Sequence, residues 1–263
     1  MKKAVHVNTW EECEQRLLQI KNETPGEVWF RGHSNACWCL TTTLERQIIR
    51  PDFAYFIADY WALMLKIKPT IEEALGLTWE VPEWSEPPWP FEQYFRENPA
   101  YGYMAYLRHH GFPSPLLDWS QSPYVAAYFA FSGATKSTRT AIYVLADTKF
   151  KHGGSGETSI YRLGPYVRVH RRHVLQQSEY TICVVFNKEW RFGSYDTAFK
   201  ASEIIEGEPW NYQLTKITIP SSERVKVLRL LDQYNLNSFS LFGSEESLME
   251  TVAMKSLAPF ITP

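Results

Sequence analysis

Tyr106-Leu-Arg-His-His-Gly-Phe-Pro-Ser-Pro-Leu-Leu-Asp-Trp-Ser-Gln-Ser-Pro-Tyr-Val-Ala-Ala-Tyr-Phe-Ala-Phe131 is the stretch on which the reading of this chain turns. The pattern predicts a helix over 101–110, a break at Pro113-Ser-Pro115, an extended piece over 116–119 and a helix of small apolar residues over 122–132. Arg108, His109, His110, Asp118, Trp119, Ser120 and Ser122 fall on or around the break. Polar groups and imidazoles beside a dense apolar anchor describe a site carried on a rigid element. His109 and His110 are adjacent, and neighbours on a helix do not share a face, so at most one aims at a given site. The commoner outcome is a buried, hydrogen-bonded histidine; the other is a general base or a ribose donor. Asp118 is expected to cap the following helix, with Ser120 and Ser122 as competing caps.

On the N-terminal side, Thr9 with Glu12 three residues on predicts a capped helix over 9–21. Pro25-Gly26 breaks it, and residues 28–32 read as a short buried strand ending in Arg31-Gly32. Residues 44–65 have helical spacing interrupted near Pro51. Residues 69–99, rich in Pro and Trp, read as an insertion or lid without regular structure. Strands are expected over 140–146, 179–187, 212–219 and 225–228, with a turn over 151–157 and a closing helix over 238–257.

The 263 residues suffice for one sizeable core, and the whole chain is read as a single α+β domain. A net charge of −2 excludes a global polyanion-binding surface and leaves only local contacts. One such place is the basic run holding Arg168, Arg171 and Arg172, although a run like this is commonly a solvated face. Aromatic residues make up 15% with ten Trp, which suits a thick aromatic core before it suits stacking surfaces. Cys37 and Cys39 form a C-x-C with no second pair, so no metal is expected. The N-terminus lacks an apolar signal region and no stretch reaches 18 apolar residues, so a cytoplasmic protein without a membrane partner is expected.

Arg31 at a strand end offers a rigid charged fork for phosphate or carboxylate, against the plainer reading of a structural ion pair. Gly32 lets a ligand or a backbone approach closely. Glu179 opens the strongest strand, and a carboxylate there can accept from a sugar hydroxyl and stabilise an oxocarbenium-like transition state. Gln177 is two residues earlier, on the same face of an extended chain. The default for a lone Glu is a surface position at a sheet edge.

Phe30-Arg31-Gly32, with Leu40 and Leu44-Glu-Arg46, resembles the opening motif of the FRG domain family. His109-His-Gly-Phe-Pro-Ser-Pro-Leu-Leu-Asp-Trp-Ser and Pro123-Tyr-Val-Ala-Ala-Tyr-Phe-Ala130 resemble its second block, and residues 172–181 its third. The motif order is similar in turn to mono-ADP-ribosyltransferases of the arginine–serine–glutamate type. That resemblance implies a split β-sheet core with flanking helices and NAD as substrate. Under it, Arg31 holds the pyrophosphate, Ser120 supports the nicotinamide ribose and Tyr128 stacks on the nicotinamide. Glu179 stabilises the oxocarbenium and Gln177 orients the acceptor. Gly32, His110 and Asp118 complete the NAD pocket. Asp118-Trp-Ser stands where that pattern has Ser-Thr-Ser.

The resulting expectation is a bacterial toxin or anti-phage effector that moves ADP-ribose from NAD to RNA or DNA and is held in check by an antitoxin. A protein acceptor is the variant of this. A non-catalytic nucleotide- or protein-binding module is the alternative. A hydrolase using His110 and Asp118 is the weakest of the three, since no nucleophile is placed by sequence.

Overall fold

The computed structural model describes residues 4–48, 55–87, 91–133, 136–149, 158–164, 171–201 and 211–257. Eight strands form one sheet: β1 (Val5–His6), β2 (Val28–His33), β3 (Leu116–Ser120), β4 (Arg139–Lys149), β5 (Thr158–Arg162), β6 (Ser178–Asn187), β7 (Glu189–Phe192) and β8 (Asn211–Pro220). Their order is β1-β8-β4-β2-β3-β6-β5, with β7 also on β6. Only β1–β8 is parallel; the other pairs are antiparallel. Both faces are covered, because adjacent residues such as Trp29 and Phe30 are buried in different clusters.

The helices are α1 (Trp10–Glu23), α2 (Thr43–Gln47), α3 (Ile57–Leu75), α4 (Phe91–Glu97), α5 (Ala100–His109), α6 (Pro123–Ser132), α7 (Arg171–Leu175), α8 (Tyr195–Ala201), α9 (Arg224–Gln233), α10 (Ser238–Phe242) and α11 (Glu245–Leu257). Thr9 caps α1 as its spacing predicts, accepting from Glu12 N. Helix α6 is apolar nearly all round, so it is buried rather than amphipathic. Its Val125, Ala126, Ala130 and Phe131 pack with Phe30, Ile142 and Val144 of β2 and β4. A second core gathers α3, α4 and α5 over β3, β5 and β6, through Tyr60, Trp61, Met64, Phe91, Tyr101, Leu116, Tyr180 and Ile182. A third, around Trp29, Trp119, Tyr143 and Tyr195, fills the opposite side of the sheet.

Three expectations are corrected. Residues 225–228 are helical in α9, not a strand: Val227, Leu228 and Leu231 lie at helical spacing and are the buried ones, which outweighs the β propensity of two valines. The closing helix is two, because Gly243 takes a left-handed backbone (φ 68°) that ends α10 and Ser244 accepts from Ser247 N at the entry to α11. Pro69 lies inside α3, whose turns beyond it are held by Lys68 on Glu72 and by Trp79 N donating to Glu72. Within 69–99, residues 91–97 are helical as well. Trp79, Val81 and Trp84 pack on the second core, and Trp61 Nε1 donates to Pro82 O at 2.6 Å, so this part is anchored to the core. The expected turn over 151–157 lies outside the described residues.

Candidate functional site: a cleft where the sheet parts

Strands β2 and β3 pair at one position only, Phe30 opposite Ser120. By contrast, β2 pairs with β4 over six residues and β3 with β6 over five. Asp118 O, two residues along β3 from the single pair, accepts from Arg31 Nη1 at 2.6 Å. A guanidinium therefore bridges the seam where backbone amides no longer reach. Arg31 Nε donates to His33 Nε2 at 3.1 Å. Burial, reinforced by the charge of Arg31, pushes His33 down to about 3, so it stays neutral and able to accept.

A cavity of about 300 Å3 opens at this seam. Phe30, Arg31 and Gly32 of β2 and Asp118, Trp119 and Ser120 of β3 form its two sides. Arg108 and His109, at the end of α5, form one wall; Ala126 and Phe129 of α6 form another. Arg172, Gln176, Ser178 and Phe242 close it.

Asp118 organises the cationic side. Its Oδ1 takes Arg108 Nη2 at 2.5 Å and Nε at 3.0 Å, and lies 3.1 Å from Arg31 Nη1. Burial works to raise its pKa, but the Arg108 and Arg31 guanidiniums prevail and hold the carboxyl well below the usual carboxylate range. It is therefore ionised, and it does not cap α6. Ser122 does that, accepting from Val125 N, with Pro123 at the first helical position. Arg172 Nη1 donates to His109 O at 3.3 Å, and its guanidinium lies 5.4 Å from the centre of the Phe242 ring. The walls thus carry three guanidiniums to one carboxylate, with Phe129 and Phe242 as flat apolar surfaces.

Arg31, Gly32, Asp118 and Ser120, which the resemblance assigns to the NAD pocket, all line this cavity, and Arg172, read from the sequence as a nucleic-acid contact, lines it with them. Ser120 Oγ is committed on both sides, donating to Gln176 O at 2.8 Å and accepting from Ser122 N at 3.1 Å. Gly32 is close to a backbone rather than to open space: a Cβ there would sit 1.9 Å from Ala126 O and 2.5 Å from Ala130 N. His109, not His110, lines the cleft; His110 is exposed and its ring lies against Tyr106, one turn back, at 4.3 Å. Tyr128 is buried under α6, and the next residue, Phe129, supplies the aromatic wall. Arg171 is exposed, and Arg168 lies outside the described residues.

Glu179 and Gln177 are not on the cleft wall. Glu179 pairs across β6–β3 with Trp119 and is 1% exposed. Its Oε1 accepts from Gln121 Nε2 at 2.7 Å and lies 3.7 Å from Arg162 Nη2; its Oε2 has no hydrogen-bond partner among the described residues. Burial raises its pKa despite Gln121 and Arg162. Arg162 itself is held between Glu27 and the Trp29 ring, 4.5 Å away. Gln177 is exposed in a left-handed turn (φ 47°), where its O accepts from Gln121 N.

Sequence reasoning passed over Arg108 and Phe242 as site residues. Arg108 had a signal, since it lies in the block that also carries Asp118. Phe242 had only a weak one, in the likeness of Ser240-Leu-Phe-Gly-Ser to the C-terminal segment of the FRG family, because only the tertiary fold brings α10 to the seam. Among the described residues no three His, Cys, Asp or Glu side chains converge as metal ligands, all four cysteines are free, and no helix is long and apolar enough to cross a membrane. Neither the curated proteins nor the solved structures gave a match. Residues 26–139, which hold both strands of the seam and the helices α5 and α6 beside it, match the FRG domain family.

Proposed function

We propose that the seam cleft takes the pyrophosphate of NAD and that the chain is a mono-ADP-ribosyltransferase acting on an RNA or DNA acceptor. The observation that carries the binding half is the set of three guanidiniums, Arg31, Arg108 and Arg172, around one cavity with a single carboxylate among them. Guanidinium forks suit phosphate oxygens, and a 300 Å3 cleft is in the range of small-molecule sites. Phe129 and Phe242 offer faces for a base or a nicotinamide ring. The transfer half rests on the resemblance of the three sequence blocks and on a sheet that parts beside Arg31.

A second reading, nucleotide binding without turnover, is favoured by one observation: Glu179 is buried away from the cleft wall. Two variants separate the readings. Arg172→Gln is expected to weaken NAD binding by roughly 10- to 100-fold, the worth of a charged hydrogen bond. Calorimetric titration measures this, and an unchanged Kd would take the pyrophosphate away from this cleft. Glu179→Gln is expected to leave NAD affinity intact, since Glu179 does not line the cleft, and a fall of about 100-fold in nicotinamide release would place its carboxylate at the reacting ribose as the transfer reading requires. A wild-type protein that binds NAD but releases no nicotinamide, and labels neither RNA, DNA nor protein, is the binding module instead.

A further inference from the structure

Resting on the transfer reading, we propose that His109, Tyr180 and His173 form a proton relay leading inward from the cleft wall, which suits an acceptor group that loses a proton on attack, such as a nucleic-acid hydroxyl. The geometry is a chain of three groups. His109 lines the cleft, and its Nε2 lies 2.5 Å from Tyr180 Oη. Tyr180 Oη lies 3.2 Å from His173 Nδ1. Tyr180 is fully buried and its ring lies parallel to that of His173, at 13° and 5.6 Å. A phenol has one proton to give, so it donates to one imidazole and accepts from the other.

The proposed direction runs from the cleft inward. Burial pushes the His109 imidazole down to about 4 although Asp118 pulls it up, so the ring is neutral and carries one proton at neutral pH. With that proton on Nε2, His109 donates to Tyr180 Oη, Tyr180 donates to His173 Nδ1, and Nδ1 of His109 is left as a base. A hydroxyl that attacks the ribose carbon passes its proton to His109 Nδ1. The Nε2 proton moves to Tyr180, and the Tyr180 proton moves to His173, which ends as the cation. The bond that forms is oxygen to ribose carbon; the bond that breaks is ribose carbon to nicotinamide nitrogen, whose electron pair leaves with neutral nicotinamide. A carboxylate acceptor has no proton to lose and needs no such chain. The adjacent His110 takes no part, its ring lying tilted against Tyr106 outside the cleft.

The test has one arm that needs no turnover and one that does. Nitrogen-15 spectra of the histidines in the full chain report tautomers. His109 protonated on Nε2 and His173 bare on Nδ1 are expected; a His109 with bare Nε2 overturns the relay. Tyr180→Phe keeps the ring stacked on His173 and removes only the hydroxyl. It is expected to lower kcat at least tenfold with KM for NAD unchanged. Its rate should climb with pH as the acceptor ionises unaided, where the wild type is flat. Arg108, Asp118, His110, Arg172 and His173 are the charged and titratable groups around His109, and none changes in this variant. Wild-type kcat in a folded Tyr180→Phe protein overturns the relay and leaves the transfer reading standing. A wild type that releases no nicotinamide overturns the transfer reading and the relay's role in it, whatever tautomers the spectra show.

Discussion

Gly32→Ala is expected to lose about 3 kcal/mol or more of stability, which for a chain of this size lowers Tm by roughly 6–12 °C. The added methyl meets Ala126 O at 1.9 Å and Ala130 N at 2.5 Å, both backbone atoms of α6. A flexible side chain could swing aside; a helix backbone packed on its own core cannot, so α6 must shift as a body. That shift also moves Ala126 and Phe129 of the cleft wall, so ligand affinity falls with stability. Gly102→Ala is the contrast. It lies inside α5, a Cβ there meets nothing within 4 Å, and helix propensity favours alanine by up to about 1 kcal/mol. Thermal or urea unfolding of the two variants side by side checks both signs. A Gly32→Ala protein as stable as the wild type would show that α6 does not press on β2 as described.

Asp118→Ala is the second large effect. Removing one partner of a buried ion pair leaves the other charge unpaired and commonly costs 3–5 kcal/mol, but 37% of the Asp118 side chain is exposed, and solvent screening reduces this to about 1–3 kcal/mol. Two guanidiniums, Arg31 and Arg108, then face each other without a counter-charge. The pH dependence has a definite sign. Asp118 has its folded pKa depressed below the unfolded value near 4, so its contribution is present at and above the ordinary carboxylate range and is lost only in stronger acid. The gap between wild type and Asp118→Ala should therefore stay constant from pH 7 to about 5 and close only well below 4. His33 and His109 act over a different window. Both are held neutral in the fold, at about 3 and about 4, so both proteins lose stability alike as pH falls from the unfolded histidine value near 6.5 to about 5, and below that the variant, without the pull of Asp118 on His109, loses slightly more. Denaturant midpoints at pH 7, 6, 5 and 4 measure this, and a gap that already narrows between pH 7 and 5 would remove Asp118 from the ion pair.

How much of this was readable beforehand depended on how local the determining physics was. The capped start of α1, the strand before Arg31 and the turn-to-helix passage at Ser122 rest on contacts within a few residues, and each lies where its spacing places it. Strand β6 was legible from its β-branched run. Helix α9 was not, because its valines favour a strand locally while burial of Val227, Leu228 and Leu231 decides for a helix. At the site, Arg31 and Asp118 were both singled out, but not as partners. They are 87 positions apart, and only the tertiary fold brings them together. Glu179 shows the same limit in reverse. Alternation along a strand says that Glu179 and Tyr180 face opposite ways, but not which of them points toward the cleft.

The single rung between β2 and β3 has a mechanical consequence. The one sheet has two stretches, the plates β1-β8-β4-β2 and β3-β6-β5 with β7, which meet at one backbone pair and an ion pair. Whatever occupies the gap touches both plates at once, so it splints the molecule. Its binding free energy adds directly to the resistance of the fold to opening, by about 2.7 kcal/mol at a hundredfold excess over Kd.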